Sequence, residues 1–284
     1  MPIKWLVFFV GAVALAAALA TWFGARRQQR AYGAAIERLI RAGAADSTAT
    51  RARSQEIADL PPPVGRYLRM ALPSSRSIQQ LHMRQTGRLR TDATVDRWMP
   101  FEAEHIVVPA ANGFVWNARV KVAPFVHVRV RDALIGGEGA GEVNLLSAFT
   151  VSSASGGIEM NSGSLHRYLA EAVWYPTALL PSSALRWTDI DATRALATLT
   201  SYGVSVSLEF RFAESGEVTG IYTPARWGAF EGGYRQLPWE GHFRDYRERS
   251  GVVVPSEGDV GWHIENQWRA VWEGAVVSYE LRTD

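Results

Sequence analysis

The first hydrophobic pattern is unbroken. Trp5 to Phe23 carries no charged residue, and as a helix the run is ~28 Å long against a bilayer core of ~30 Å. The second pattern is helical. Tyr32, Ile36, Leu39 and Ile40 recur at the spacing of one helix face, and Gly43 reads as a stop. Pro61-Pro62-Pro63 then opens a short helix, because proline is tolerated in a first turn. Val64, Tyr67, Leu68, Ala71 and Leu72 form its stripe, and Pro73 ends it.

From Ile78 the period changes to two. Val204, Val206, Leu208, Phe210 and Phe212 alternate with Ser205, Ser207, Glu209 and Arg211, which is a strand with one buried face. Neighbouring strands are expected at 194–200 and 217–222 across Gly-containing turns. Others are expected at 81–89, 98–107, 114–122, 125–131, 142–151, 239–246, 252–264 and 268–281. Pro255 marks an edge or a bulge. One helix interrupts the strands. Leu165, Leu169 and Val173 line its face, Asn161, Ser162 and Ser164 are its candidate N-caps, and Pro176 ends it. The expected fold is mainly β: a curved antiparallel sheet or half-barrel with a covering helix, preceded by an N-terminal transmembrane helix and short helices. The division is an anchor at 1–24, a basic, partly helical neck at 25–63 and a β domain at 64–284.

Composition sharpens this picture. The formal charge is +2 over 284 residues, which disfavours nucleic acid as a partner. Locally the neck is basic, with Arg26, Arg27, Arg30, Arg38, Arg41, Arg51 and Arg53 against Glu37 and Asp46. Such arginines suit anionic headgroups, or equally an ordinary solvated helix face. Residues 44–50 read as a small-residue spacer. Trp5 and Trp22 stand near the ends of the apolar run, where indoles favour the membrane interface. The rival reading of that run is a cleaved signal peptide with Ala18-Leu19-Ala20 as its site. Flanking charge and export-like character point to opposite sides of the membrane, so the side of the β domain stays open. Ala12, Ala16, Ala20 and Gly24 offer a small-residue row for self-association, although a row of this kind is expected in any Ala-rich helix.

The chain has no Cys, which excludes disulfides, thiolate catalysis, Cys-ligated zinc and a lipidated cysteine. No phosphate-binding Gly-Lys-Ser/Thr, no G-x-S-x-G elbow and no H-E-x-x-H pair is present, and the spacing implies neither metal nor cofactor. The run Gly136 to Gly141 misses the dinucleotide spacing and reads as a tight connection between strands.

Two leads remain. If the strands holding Phe114 to Arg131 pair, Arg119, Lys121, His127, Arg129 and Arg131 make a basic stripe on one face. Such a stripe suits a phosphate or carboxylate headgroup, or is a solvated face with Asp132 nearby. The second lead is aromatic. Tyr168, Trp174, Tyr175, Trp239 and Trp262 stand in a Trp-rich second half. They are core, or line an apolar cavity for an acyl chain. Glu171 and His263 are the titratable groups beside them. A buried Glu171 would have a raised pKa, while pairing with Arg167 is the plainer outcome.

Several blocks resemble an uncharacterised bacterial family of membrane-anchored domains. They are Gly113-Phe114-Val115-Trp116-Asn117-Ala118-Arg119, Val128 to Asp132, Arg167 to Pro181, Pro238 to Tyr246 and Val260-Gly261-Trp262-His263. That resemblance implies no activity. The arrangement is also similar, more weakly, to the periplasmic lipoprotein-carrier and lipid-binding half-barrel.

The leading expectation is a non-catalytic binding protein for a hydrophobic or amphipathic ligand such as a lipid. A single helix tethers it to the membrane, most simply a bacterial inner membrane. One alternative is a protein-interaction or envelope-assembly module. The other is an enzyme built on Glu171, His263 or Asp245, which requires that these converge.

Overall fold

The computed structural model describes residues 2–45, 59–73 and 77–283, with the backbone alone at 2–7, 10 and 45. Of the expected spacer, Ala44 and Ala45 belong to α1, while its remainder and the last neck arginines, Arg51 and Arg53, lie outside the described residues, as does the side chain of Trp5. Three α-helices are used below: α1 (Pro2–Ala45), α2 (Pro62–Ala71) and α3 (Ile158–Glu171). Thirteen strands are described: β1 (Ile78–Leu89), β2 (Met99–Val108), β3 (Gly113–Ala123), β4 (Val126–Ile135), β5 (Glu138–Leu145), β6 (Phe149–Ser155), β7 (Leu185–Asp191), β8 (Arg194–Ser201), β9 (Val204–Phe212), β10 (Val218–Phe230), β11 (Gly233–Arg249), β12 (Val252–Ile264) and β13 (Gln267–Thr283). They form a single antiparallel sheet in the order β6-β5-β4-β3-β2-β1-β13-β12-β11-β10-β9-β8-β7. The sheet curls into a half-barrel, as the alternating pattern predicts.

Alternation divides every strand between an inner, concave face and an outer one. On β3 (Gly113–Ala123), Phe114, Trp116, Ala118 and Val120 point inward and Val115, Asn117 and Arg119 outward. The inner face is filled by side chains. Tyr67, Tyr168, Tyr175, Phe114 and Phe210 are fully buried there, each large apolar group contributing roughly 1.5–3 kcal/mol. Helix α2 closes one end of this core with Val64, Tyr67, Leu68 and Ala71, as its stripe requires. The opposite ends of the curled sheet approach each other where Asn112 Nδ2 donates to Ser201 Oγ at 3.2 Å and Tyr202 packs on Gly137.

Helix α1 is continuous through the boundary expected at residue 24. Its second half lies on the outer face of β2–β4, where Tyr32 and Leu39 pack against Ile106, Val108, Val115, Ala133 and Ile135. Ile40, expected in that stripe, is exposed. Gly24 packs on Ala148 of the β5–β6 turn, where a Cβ would lie 2.7 Å from the Ala148 carbonyl oxygen. The small residue expected to admit a second helix is thus used within the chain. Among the described residues no helix is long and apolar enough to cross a membrane.

Other expectations are corrected. Residues 142–151 are not one strand: β5 (Glu138–Leu145) turns at Leu146 and Ser147 into β6 (Phe149–Ser155). Only Gly136 and Gly137 of the glycine run make the turn. Gly139 and Gly141 lie within β5, and a Cβ on Gly139 would sit 2.6 Å from Ser164 Oγ of α3. Helix α3 begins at Ile158 after Gly157, with no side-chain cap. Asn161 Oδ1 accepts from the Gly139 N–H instead, so the expected cap ties the helix to the sheet. β7 (Leu185–Asp191) was not expected, and β10 runs on from Val218 to Phe230 past a bulge at Pro224 and Ala225.

Candidate functional site

Helix α3 carries its apolar face onto the concave sheet and continues into 3₁₀ turns at Ala172–Trp174 and Pro176–Leu179. The polar tips of its aromatics all meet backbone carbonyls. Tyr168 OH donates to Pro109 O at 3.2 Å, Tyr175 OH to Tyr168 O at 2.6 Å and Trp174 Nε1 to Pro255 O at 2.9 Å. Tyrosines and tryptophans satisfied in this way are core residues that lock the turn in place. Trp239 and Trp262 face each other across β11 and β12 and join the same core.

Beneath α3 lies an ionic cluster. Arg167 Nη1 donates to Asp132 Oδ2 at 2.7 Å and its Nε to Glu171 Oε1 at 2.8 Å, with the guanidinium 5.0 Å from the Phe114 and Trp116 rings. Arg226 stacks on Trp239 at 4.5 Å and donates to Gly163 O of α3 at 2.9 Å. Two arginines thus face two carboxylates, of which Glu171 is largely buried and Asp132 keeps 38% of its side chain exposed. Burial lowers Arg226 to about 10, helped by the neighbouring Arg167. Burial raises Glu171 against the opposing pull of Arg167. The fully buried His105 sits 3.4 Å from Glu171 Oε2, and burial together with Arg167 drives its pKa well below the ordinary range. Glu171 therefore shows both outcomes expected of it, a raised pKa and a bond to Arg167.

The other sequence-flagged groups lie elsewhere. His263 Nε2 is 2.7 Å from Glu240 Oε2, with its ring against Tyr222. Glu240 also holds Arg211, and beside it His242 pairs with Asp259 at 2.7 Å. Burial would raise Glu240, but its bonds to His263 and Arg211 outweigh this and lower it. Asp245 lies in β11 at a positive φ of 55° and is bonded to Arg247. Glu171, His263 and Asp245 share no partner, so they do not converge on one catalytic centre. The sequence reading missed Glu240 and Asp259. Their signal was the face of β11 and β12 opposite Trp239, which was read only for its aromatics. Among the described residues no three His, Asp or Glu side chains are placed to hold a metal ion.

The basic stripe forms as the register requires, with Asn117 opposite Arg131, Arg119 opposite Arg129 and Lys121 opposite His127. It lies on the outer face, away from Glu171 and Trp174, so the sequence-flagged residues divide between two sides of the sheet. Arg131 is buried beneath α1, where it donates to Gln28 O at 3.0 Å and pairs with Glu142 at 3.3 Å. Arg119 stays exposed beside His127 at 3.3 Å. Asp132 is on the opposite, inner side and does not neutralise the stripe.

One groove is open. β9 (Val204–Phe212) and β10 pair only as far as Tyr222, and beyond it the bulged Pro224 and Ala225 lead the strands apart. Helix α3 enters the gap with Ser162 and His166. The half-open space is about 590 Å³, lined also by Val206, Ser207, Tyr222 and Gln236. Its volume falls in the ~300–1,000 Å³ range of small-molecule sites, and its wall is part polar and part apolar. The buried His166 is pushed down to about 4 by desolvation and by Arg226.

A family model described as a family of unknown function (DUF6544) matches residues 50–274, so the chain belongs to that family. No curated protein matches it. Among solved structures, a LolA-superfamily protein from Nitrosomonas europaea is 11% identical at a TM-score of 0.43, covering 78% of this chain and 92% of that one. A DUF1329-family protein from Desulfovibrio piger is 8% identical at a TM-score of 0.42, covering 78% and 93%.

Proposed function

We propose that this member of the DUF6544 family is a non-catalytic, membrane-tethered binding protein for an amphipathic ligand, taken in the groove between β9 and β10. The observation that carries the reading is the unequal α1. Its second half is bound to the outer face of the sheet, while Phe8, Phe9, Val13, Leu15, Leu19, Trp22 and Phe23 are exposed, with Trp22 touching Phe23 and Arg26 of the same helix. Exposed apolar groups in such a continuous run have a bilayer as their natural environment. The filled concave face moves the ligand reading away from an internal acyl cavity. The groove, with a polar floor from α3 and apolar sides from Val206 and Pro224, suits a molecule that is itself half polar.

Native mass spectrometry of the full chain extracted in mild detergent tests this. A bound amphiphile, or saturable binding of added oleate, is expected, and Ala225→Trp, which fills the groove, reduces it severalfold. A chain that takes up no oleate overturns the ligand reading. A chain that fails to co-float with vesicles overturns the tether.

A further inference from the structure

At one end of the sheet the β3–β4 and β5–β6 turns lie side by side, joined by Leu146 N donating to His127 O at 2.9 Å and by Ser147 Oγ at 2.9 Å from His127 Nε2. Their apolar residues face water. Phe125 is completely exposed, Val151 is 60% exposed, and Phe149 and Val126 are exposed beside them. Phe125 also has a φ of 62°, in the left-handed region that a bulky side chain normally avoids. An aromatic that is both strained and unburied gains nothing from the fold that would offset either.

The position of this rim is set by α1. Gly24 packs directly on Ala148 of the β5–β6 turn, so the exposed apolar half of α1 leaves the domain at this end. Trp22, with Arg26 stacked 4.5 Å above its ring, marks the level where an apolar run meets a basic one. Phe125 lies beyond Val128, the residue level with Leu145, by ~10 Å at ~3.3 Å per strand residue. Interfacial apolar groups bury to ~5–10 Å. Just behind the tip, Arg119 and Lys121 are exposed on the outer face, opposed there by Glu102 across β2–β3.

From this we infer that the rim carrying Phe125, Val126, Phe149 and Val151 is a second membrane contact, which enters the headgroup–acyl boundary of an anionic bilayer beside α1. The inference rests on the tether proposed above. It goes further by giving the domain a fixed posture on the membrane, with the β3–β4 turn down and the β4–β5 turn at Gly137, on which Tyr202 of the β8–β9 turn packs, up.

The chain has no cysteine, so single-cysteine variants label uniquely. Phe8→Cys, Phe125→Cys and Tyr202→Cys full-length proteins carrying a nitrobenzoxadiazole label are reconstituted in phosphatidylcholine–phosphatidylglycerol vesicles, with and without brominated acyl chains. Loss of emission at 8 and 125 but not at 202 is expected. Val126→Cys repeats the rim measurement should the Phe125 variant fold poorly. Quenching at 8 alone overturns the rim contact and leaves the tether standing. Quenching at 125 without 8 supports the contact and overturns the tether. Equal quenching at 125 and 202, or quenching at neither 8 nor 125, overturns the rim contact, and the latter overturns the tether with it.

Discussion

The two helices that cover the sheet do so in different ways. Under α3 one of two arginines comes from the helix: Arg167 is bonded to a carboxylate on the strand and another on the helix, with aromatic rings beneath it, while Arg226 of β10 reaches a helix carbonyl. Under α1 the arginine comes from the strand, and Arg131 reaches a backbone carbonyl of the helix and a single carboxylate. The α3 face belongs to the main core. The α1 face has a small core of its own and a narrow crevice of about 110 Å³ lined by Gln28, Asn117, Arg129 and Arg131. Buried polar atoms without hydrogen-bond partners occur on both faces: Gln28 Oε1, Asn117 Oδ1 and Asn144 Nδ2 under α1, and Glu171 Oε2, Arg226 Nε and the His105 nitrogens under α3. The α3 contact is therefore continuous with the main core, whereas the α1 contact closes a separate, smaller one.

The largest break in this comparison is Arg167→Ala. It removes the hydrogen-bonded partner of Glu171 and Asp132, leaving Arg226 as the remaining nearby cation, and is expected to lower unfolding stability by about 3–5 kcal/mol in urea titration. An equal loss from Arg131→Ala would erase the distinction between the faces.

Acid comes next. His166 is held down at about 4 against an unfolded value of 6.5, so its contribution is fully present above pH 6.5. It is lost as the pH falls from 6.5 toward 4, because the unfolded chain binds the proton first. At ~1.36 kcal/mol per unit the loss approaches about 3 kcal/mol. His105, lowered by burial, acts in the same direction, and Glu171, raised by burial, acts against both. The difference between wild type and His166→Gln across pH 4–7 isolates His166, and parallel curves would refute its role.

Leu39→Ala opens a cavity between α1 and β3. It is expected to weaken docking by about 2–3 kcal/mol, read as faster hydrogen exchange over 31–43 with little change in the strands. The smallest effect is a coupling. A double-mutant cycle of Tyr32→Phe, which removes the hydroxyl donated to Glu104 Oε2 at 3.0 Å, with Arg131→Met should give about 1 kcal/mol or less. A larger coupling would make the α1 face as tightly organised as the α3 face.

Much of this was legible from residue order. Val204 to Phe212 alternates in the structure as it does in the sequence, and Leu165 and Leu169 face the core. Phe114 to Val122 against Val126 to Arg131 forms the pair that brings the basic stripe together. The split of 142–151 was not legible, because Leu146 and Ser147 turn in the left-handed region without a glycine between them. Nor was the Asn161 cap, since its partner, Gly139, is distant in sequence. The ionic cluster was half legible. Arg167 and Glu171 are four apart on one helix, but Asp132, His105 and Arg226 come from three different strands.

By itself, then, the sequence determined the local terms. Periodicity decided strand or helix and which side chains share a face, and the absence of cysteine excluded thiol chemistry. Only the tertiary structure decided which face meets which helix. Alternation says that Arg131 and Trp116 point in opposite directions but not which direction is inward. That choice depends on long-range pairing around a thirteen-stranded sheet, where the burial of Phe114, Tyr168 and Tyr175 outweighs local preference. The same closure placed the aromatics in the core, parted β9 from β10 to leave the groove, and left Phe125 exposed.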